Sequence, residues 1–169
     1  MNRIFAVVIL LGLTFWLSSC FKDKGCPYVD QQYTASSSEI AYLQNYFTAQ
    51  NITDVTQHPS GVFYKINQQG NGPVPGLCST MLVTYYAYRL GYTNTFDQYT
   101  DSTGIPFVLG TLITGIQKVM PVIKAGSSVT MYIPPSLAYG GQEQRDQLGN
   151  IVLPANSYIR FDLHLKSVQ

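Results

Sequence analysis

Two stretches near the C-terminus limit what this chain can fold into. In residues 129–133, Val129, Met131 and Ile133 alternate with Thr130 and Tyr132; in residues 159–166, Ile159, Phe161, Leu163 and Leu165 alternate with Arg160, Asp162, His164 and Lys166. A period of two sends alternate side chains to opposite faces, so both read as antiparallel strands with one face on a core and one toward water. Residues 134–157 between them are rich in Pro, Gly and Gln and have no period of their own. A connection of that length inside a compact domain usually carries function.

The rest of the chain supplies partners for these strands. Ser36 followed by Glu39 is a capping-box pattern, and Ile40, Leu43 and Phe47 recur at helical spacing, predicting an amphipathic helix over 37–50. Strands are predicted at 62–66, 80–90, around Phe96 and at 106–109, and Ile113, Ile116 and Met120 suggest a short helix stopped near Pro121. The expected class is α+β. With 13% aromatic residues, 13 of them Tyr, and only 11% charged, the composition suits a pleated, half-buried surface and excludes a disordered, collagenous or coiled-coil chain.

The N-terminus reads as an address. Arg3 precedes an apolar run from Ile4 to Trp16, then Leu17-Ser18-Ser19-Cys20. That is the shape of a signal peptide, too short to favour a spanning helix. Small residues before Cys20 resemble the lipobox of bacterial lipoproteins, which implies cleavage before Cys20 and its lipidation; an ordinary signal peptide with an incidental cysteine is the plainer alternative. The expected organisation is a signal peptide at 1–19, a lipid-anchored tether at 20–35, a helix and linker at 36–60 and the main domain at 61–169. Localisation follows as the cell envelope, lipid-anchored, on the periplasmic side of the outer membrane. Without residues 1–19 the chain carries 9 Lys and Arg against 9 Asp and Glu, which argues against a nucleic-acid partner. In an oxidising compartment Cys26 and Cys78 are either a disulfide or two free thiols. No Cys-x-x-Cys occurs and His58 and His164 are isolated, so no metal and no cofactor is expected; His164 is read as solvent-facing.

The segments VTYYA (83–87), Phe96-Asp97, FVLG (107–110), Leu112-Ile113-x-Gly115-Ile116, IPP (133–135), LAYG (137–140) and LPAN (153–156) followed by Phe161-Asp162-Leu163 resemble, in this order, the FKBP-type peptidyl-prolyl isomerases. The likeness runs from about 62 to 168. It implies a bent antiparallel sheet wrapped around one short helix, here with an extra N-terminal helix, acting on proline-containing polypeptide clients; a monomer is expected. Carried over residue by residue, the resemblance assigns Tyr85, Asp97, Ile113, Tyr139 and Phe161 to catalysis and Phe96, Ile105, Leu112, Ile116 and Leu153 to the substrate pocket. The Ile113 amide and the Tyr139 hydroxyl become donors to substrate carbonyls, and Asp97 orients Tyr85. Tyr86 rivals Tyr85, because the family places its pocket tyrosine ten residues before the Phe of Phe-Asp. Tyr85 shares the more apolar face with Met81, Val83 and Ala87, and a bulge before Phe96 would reconcile the count.

Such residues suit a reaction that needs no nucleophile. An X–Pro amide rotates over a barrier of about 18–20 kcal/mol, and an apolar wall with one or two fixed donors favours the twisted, less polar state. Two departures from the family pattern stand out: Ile116 occupies the place of the usual pocket Trp, and the loop GGQEQRDQLGNIVLPAN is long and polar. The second reading of the same residues is a non-catalytic chaperone or binding module of an envelope machine, such as that of gliding motility.

Overall fold

The computed structural model describes residues 25–169, so the expected signal peptide and Cys20 lie outside the described residues. Helix α1 (Ser37–Ala49) begins on a complete capping box: Ser36 Oγ accepts from the Glu39 amide, and Glu39 returns a carboxylate oxygen to the Ser36 amide. Strands β1 (Thr56–Gln57), β2 (Phe63–Gln68), β3 (Thr80–Arg89), β4 (Thr95–Tyr99) and β5 (Ile105–Val108) follow, then α2 (Thr114–Val119) and β6 (Ser128–Ile133). The chain closes with β7 (Gln144–Arg145), β8 (Ile151–Leu153) and β9 (Ile159–Val168).

The main sheet has the order β1-β2-β6-β9-β3-β4, and β5 adds to the first half of the β3 edge that β4 occupies further on. Its pairs are antiparallel. The alternation of β6 and β9 sends Val129, Met131, Ile133, Ile159, Phe161, Leu163 and Leu165 to a core shared with α2. Gly115 lets α2 approach the sheet, since a Cβ there would meet Ile133 Cγ2 at 2.3 Å. On the opposite face Tyr132 and Phe63 receive Leu43 and Phe47 of α1, with Phe47 edge-on to Phe63 at 5.1 Å and to Tyr132 at 4.9 Å. Helix α1 thus covers the Phe63 and Tyr132 end of the outer face and is part of the packed body.

Two expectations need correction. The segment read as a tether up to residue 35 lies against the domain from Cys26 onward, although it has no helix or strand. Cys26 is disulfide-bonded to Cys78, the Tyr28 ring lies against Gly110 where no Cβ would fit, Asp30 pairs with Lys118, and the Ala35 amide donates to Ser60 at 2.8 Å. These are contacts between residues distant in sequence, which no local period reports. Residues 134–157, expected to be a connection without regular structure of its own, contain the β7–β8 hairpin, whose turn is held by the Asp146 carboxylate accepting from the Leu148 and Asn150 amides at 2.9 and 2.8 Å. Strands of two and three residues are too short to display a period.

The disulfide closes a sequence separation of 52 residues. In the chain-entropy account a loop of that size contributes about 4 kcal/mol. The Cys26→Ser/Cys78→Ser variant should therefore fold but lose about that stability in urea unfolding, with protease cutting first between Cys26 and Ala35.

Candidate active site

The concave face of the sheet, α2 and the loop before α2 enclose a cleft of about 200 Å³. The β3–β9 register sets its wall. Tyr85 stands opposite Leu163 and Ala87 opposite Phe161, so Val83 and Tyr85 from β3 join Phe161 and Leu163 from β9. Phe107 enters from β5, which pairs with β3 from Thr80 to Val83. Leu112 and Ile113 arrive on the turn before α2, and Ile116 forms the floor from the first turn of that helix.

Between β3 and β4 the register slips: Ala87 faces Asp97 but Tyr88 faces Thr95, leaving Phe96 as the extra residue of a bulge. The bulge turns Phe96 edge-on against Tyr139 at 6.2 Å and Phe161 at 6.4 Å. It brings the Asp97 carboxylate within 2.8 Å of the Tyr85 hydroxyl, which donates to it. Tyr86 points to the other face, where it stacks on Tyr88 and is 43% exposed. The tyrosine in the cleft is Tyr85.

Tyr139 follows a turn at Pro135–Leu137 and precedes Gly140, whose φ of +57° is the left-handed region that favours glycine. This loop is tied down from outside the cleft. Glu39 accepts from the Ser136 amide and from the Ser136 hydroxyl, each at 2.9 Å. Burial opposes ionisation of Glu39, but the bonds from Ser136 and Ser36 outweigh it and hold its carboxyl below the ordinary value. This contribution is present above the ordinary carboxylate range and is lost as pH falls through the lowered value. Helix α1 thereby positions the segment that presents Tyr139.

Behind the cleft, Gln117 Nε2 donates to the Leu112 carbonyl at 2.6 Å and to the Gly110 carbonyl at 3.2 Å. The Ile113 carbonyl accepts from the Ile116 and Gln117 amides, whereas the Ile113 amide donates to no group among the described residues.

The hydroxyl of Tyr85 is pushed well above the usual tyrosine range by burial first, then by its hydrogen bond to Asp97 and the Asp97 charge. Burial, with Asp97 adding to it, also raises Tyr139. Both stay protonated donors through neutral and mildly alkaline pH. Among the described residues no three His, Cys, Asp or Glu side chains cluster as metal ligands would. His164, half-buried on the outer face, contacts the Ser128 hydroxyl at 3.0 Å.

Of the ten residues expected at the site, seven line this cleft: Tyr85, Asp97, Leu112, Ile113, Ile116, Tyr139 and Phe161. Phe96 forms its shoulder. Ile105 pairs with Val83 and packs against the core on the same face of β5 as Phe107, and Leu153 is buried in the core from β8; neither is among the lining residues. Val83, Phe107 and Leu163 take part instead. Val83 and Leu163 stand two residues from Tyr85 and Phe161, so the alternation already contained them, whereas Phe107 depends on the β3–β5 pairing.

Comparison with known proteins agrees with this geometry. The model of the FKBP-type peptidyl-prolyl cis-trans isomerase family matches residues 77–166, more than half of the chain. An outer membrane protein MIP of Legionella longbeachae is 33% identical over 113 residues, covering 66% of this chain and 46% of the relative. The FKBP-type isomerase FkpA of Escherichia coli K12 is 29% identical over 110 residues, 65% of this chain and 38% of FkpA. The chain thus spans less than half the length of these relatives. The crystal structure of FkpA from Escherichia coli superposes with a TM-score of 0.64 at 28% identity, covering 78% of this chain and 60% of that one. A peptidyl-prolyl isomerase from Pseudomonas syringae shares the fold, with a TM-score of 0.65 at 18% identity over 82% of this chain and 99% of that one.

Replacing Asp97 by Leu should strand the Tyr85 hydroxyl in a half-buried wall at a cost of about 1 kcal/mol. In a spectrophotometric alkaline titration, Tyr85, identified by difference from Tyr85→Phe, should then ionise at lower pH than in the parent, yet above an ordinary tyrosine because burial persists. With its sheet, its cleft and its family match in agreement, the chain belongs to the FKBP-type peptidyl-prolyl cis-trans isomerases.

Proposed function

We propose that this chain is a peptidyl-prolyl cis-trans isomerase that seats the proline of an extracytoplasmic client on Ile116, between Tyr85, Phe107 and Phe161. The observation that carries this reading is the convergence of an apolar cleft, the unpaired Ile113 amide and the Tyr139 hydroxyl on one volume. The planar X–Pro amide is polar, and the twisted amide has lost resonance and part of its dipole. An apolar wall therefore destabilises the ground state more than the rotating state. Donors from Ile113 and Tyr139 hold the flanking carbonyls while the bond turns, and no proton leaves and no covalent bond forms. Asp97 acts through Tyr85, fixing its ring as a wall. Each tenfold acceleration corresponds to about 1.4 kcal/mol, so a few oriented contacts suffice for useful turnover against a barrier of about 18–20 kcal/mol.

Ile116 sets the strength of the grip. It is smaller than the Trp of the family pattern and offers the prolyl ring less apolar surface. The only Trp of the chain is Trp16. In a proline-peptide isomerisation assay, Tyr139→Phe should lower kcat/KM by about three- to tenfold, the worth of one hydrogen bond of about 1 kcal/mol, while leaving the fold intact. Ile116→Trp should tighten peptide binding unless the added volume costs about 1–3 kcal/mol of packing. An inert parent together with a folded, equally inert Ile116→Trp would reject the reading.

The same proposal includes the location. Residues 1–19 act as a signal peptide and Cys20 carries the lipid; the helix and linker at 36–60 lead into the catalytic domain at 61–169. The support is the sequence pattern before Cys20 and a relative named as an outer membrane protein. The clients are proline-containing polypeptides met on the periplasmic side of the outer membrane, and the chain acts as a monomer. Cys20→Ser should move the protein from the detergent phase to the aqueous phase with its isomerase activity unchanged. Retention in the membrane fraction after a high-salt wash would exclude the anchor.

A further inference from the structure

A second groove, of about 250 Å³, adjoins the cleft across Phe96. One side is built by the end of β3, the turn after it and the start of β4; the other is β8 of the hairpin. Phe96 stands between the two: it packs edge-on against Tyr139 and Phe161 of the cleft and lines the groove.

Two features mark the groove as a place for a guest. Tyr92 and Ile151 leave 55% and 50% of their surface in solvent. Arg89 lies over the Tyr92 ring at 4.5 Å and has no acidic partner within 4 Å among the described residues, and no carboxylate lines the groove. The nearby cations do not share this state: Arg145 is held by Glu143 and Arg160 by Asp162. In a chain with only 11% charged residues, an unpaired guanidinium on an aromatic platform beside the catalytic cleft is a recognition element.

We propose that this groove is a subsite of the isomerase that receives an acidic side chain of the client, two or three residues from the proline. This rests on the reading of the cleft as a prolyl site. An extended chain advances about 3.3 Å per residue, so two or three residues carry it past the Phe96 ring, whose centre is 6.4 Å from that of Phe161. The apolar part of the client residue would cover Ile151 and Tyr92 while its carboxylate meets Arg89. Arg89 makes no contact with the cleft, so it sets which client is held and leaves the rotation itself alone.

The test compares alanine-based proline peptides bearing Glu, Gln or Lys two or three residues to either side of the proline, at low salt. Isomerisation is read by NMR exchange and binding by calorimetry. On one side of the proline the Glu peptide should exceed the Lys peptide by about two- to fivefold in kcat/KM, the range of a solvent-exposed charge pair, with the difference in KM. Arg89→Gln should erase that ratio and Arg89→Glu invert it, while turnover of the Gln peptide stays at the parent value and reports an intact fold. Equal treatment of Glu and Lys peptides by the parent, or a ratio unmoved in Arg89→Gln, overturns the subsite while the Gln peptide still reports an isomerase. Binding with the Arg89-dependent ratio but without turnover supports the groove and rejects catalysis, and no binding of any peptide rejects both.

Discussion

The pairing of β3 with β9 is the interaction on which the site depends. These are the two longest strands, and their register decides which side chains face α2. Because side chains alternate with a period of two, a slip of one residue would turn one strand over relative to the other, either carrying Tyr85 of β3 to the outer face in exchange for Tyr86 or carrying Phe161 of β9 outward in exchange for Asp162. The outer face has its own polar pairing, with Asp162 accepting from Thr130 at 2.8 Å and paired to Arg160 at 3.0 Å, and Arg160 over Tyr88. A slip that turned β9 over would bury Arg160, Asp162 and Lys166 on the α2 side, which is costly without partners, and one that turned β3 over would bring Thr84 and Tyr86 into an apolar core. Specificity of register therefore comes from both faces together.

Everything else places groups around that strand pair. The Phe96 bulge brings Asp97 to Tyr85, Gly115 brings α2 and Ile116 to the sheet, and Gln117 shapes the turn that carries Ile113. Two N-terminal devices reach the same site from the rear. Glu39 of α1 holds the Ser136 turn before Tyr139, and the segment after Cys26 places Tyr28 on Gly110, three residues before Ile113. Local changes in the N-terminal region can thus act on the cleft without touching it.

Much of this was legible in the sequence, and what was not has a physical reason. The alternation of β6 and β9 and the Ser36–Glu39 box were strong local signals, and both appear as expected strands and helix. The motif order 83–87, 96–97, 112–116, 137–140 and 161 named residues that do meet in one cleft. Spacing alone left Tyr85 and Tyr86 as rivals, because a bulge is a property of strand pairing. Phe107 entered only through the β3–β5 register, Ile105 and Leu153 pack in or against the core without lining the cleft, and the docked course of residues 26–35 rests on long-range contacts. The β7–β8 hairpin was hidden because its turn is held by one side chain, Asp146, in a stretch too short for periodicity.

The central claim is that the concave face of β3 and β9, closed by Ile113 and Ile116, receives a prolyl residue. The most direct measurement is a titration of isotopically labelled protein with a proline peptide, followed by NMR at the backbone amides and isoleucine methyl groups. The account predicts that the Ile113 amide moves downfield as it gains an acceptor and that the Ile116 methyl groups shift under the guest ring, with Tyr86 and its neighbours on the outer face unmoved. Saturable binding that leaves Ile113 and Ile116 unchanged and perturbs the outer face would contradict it.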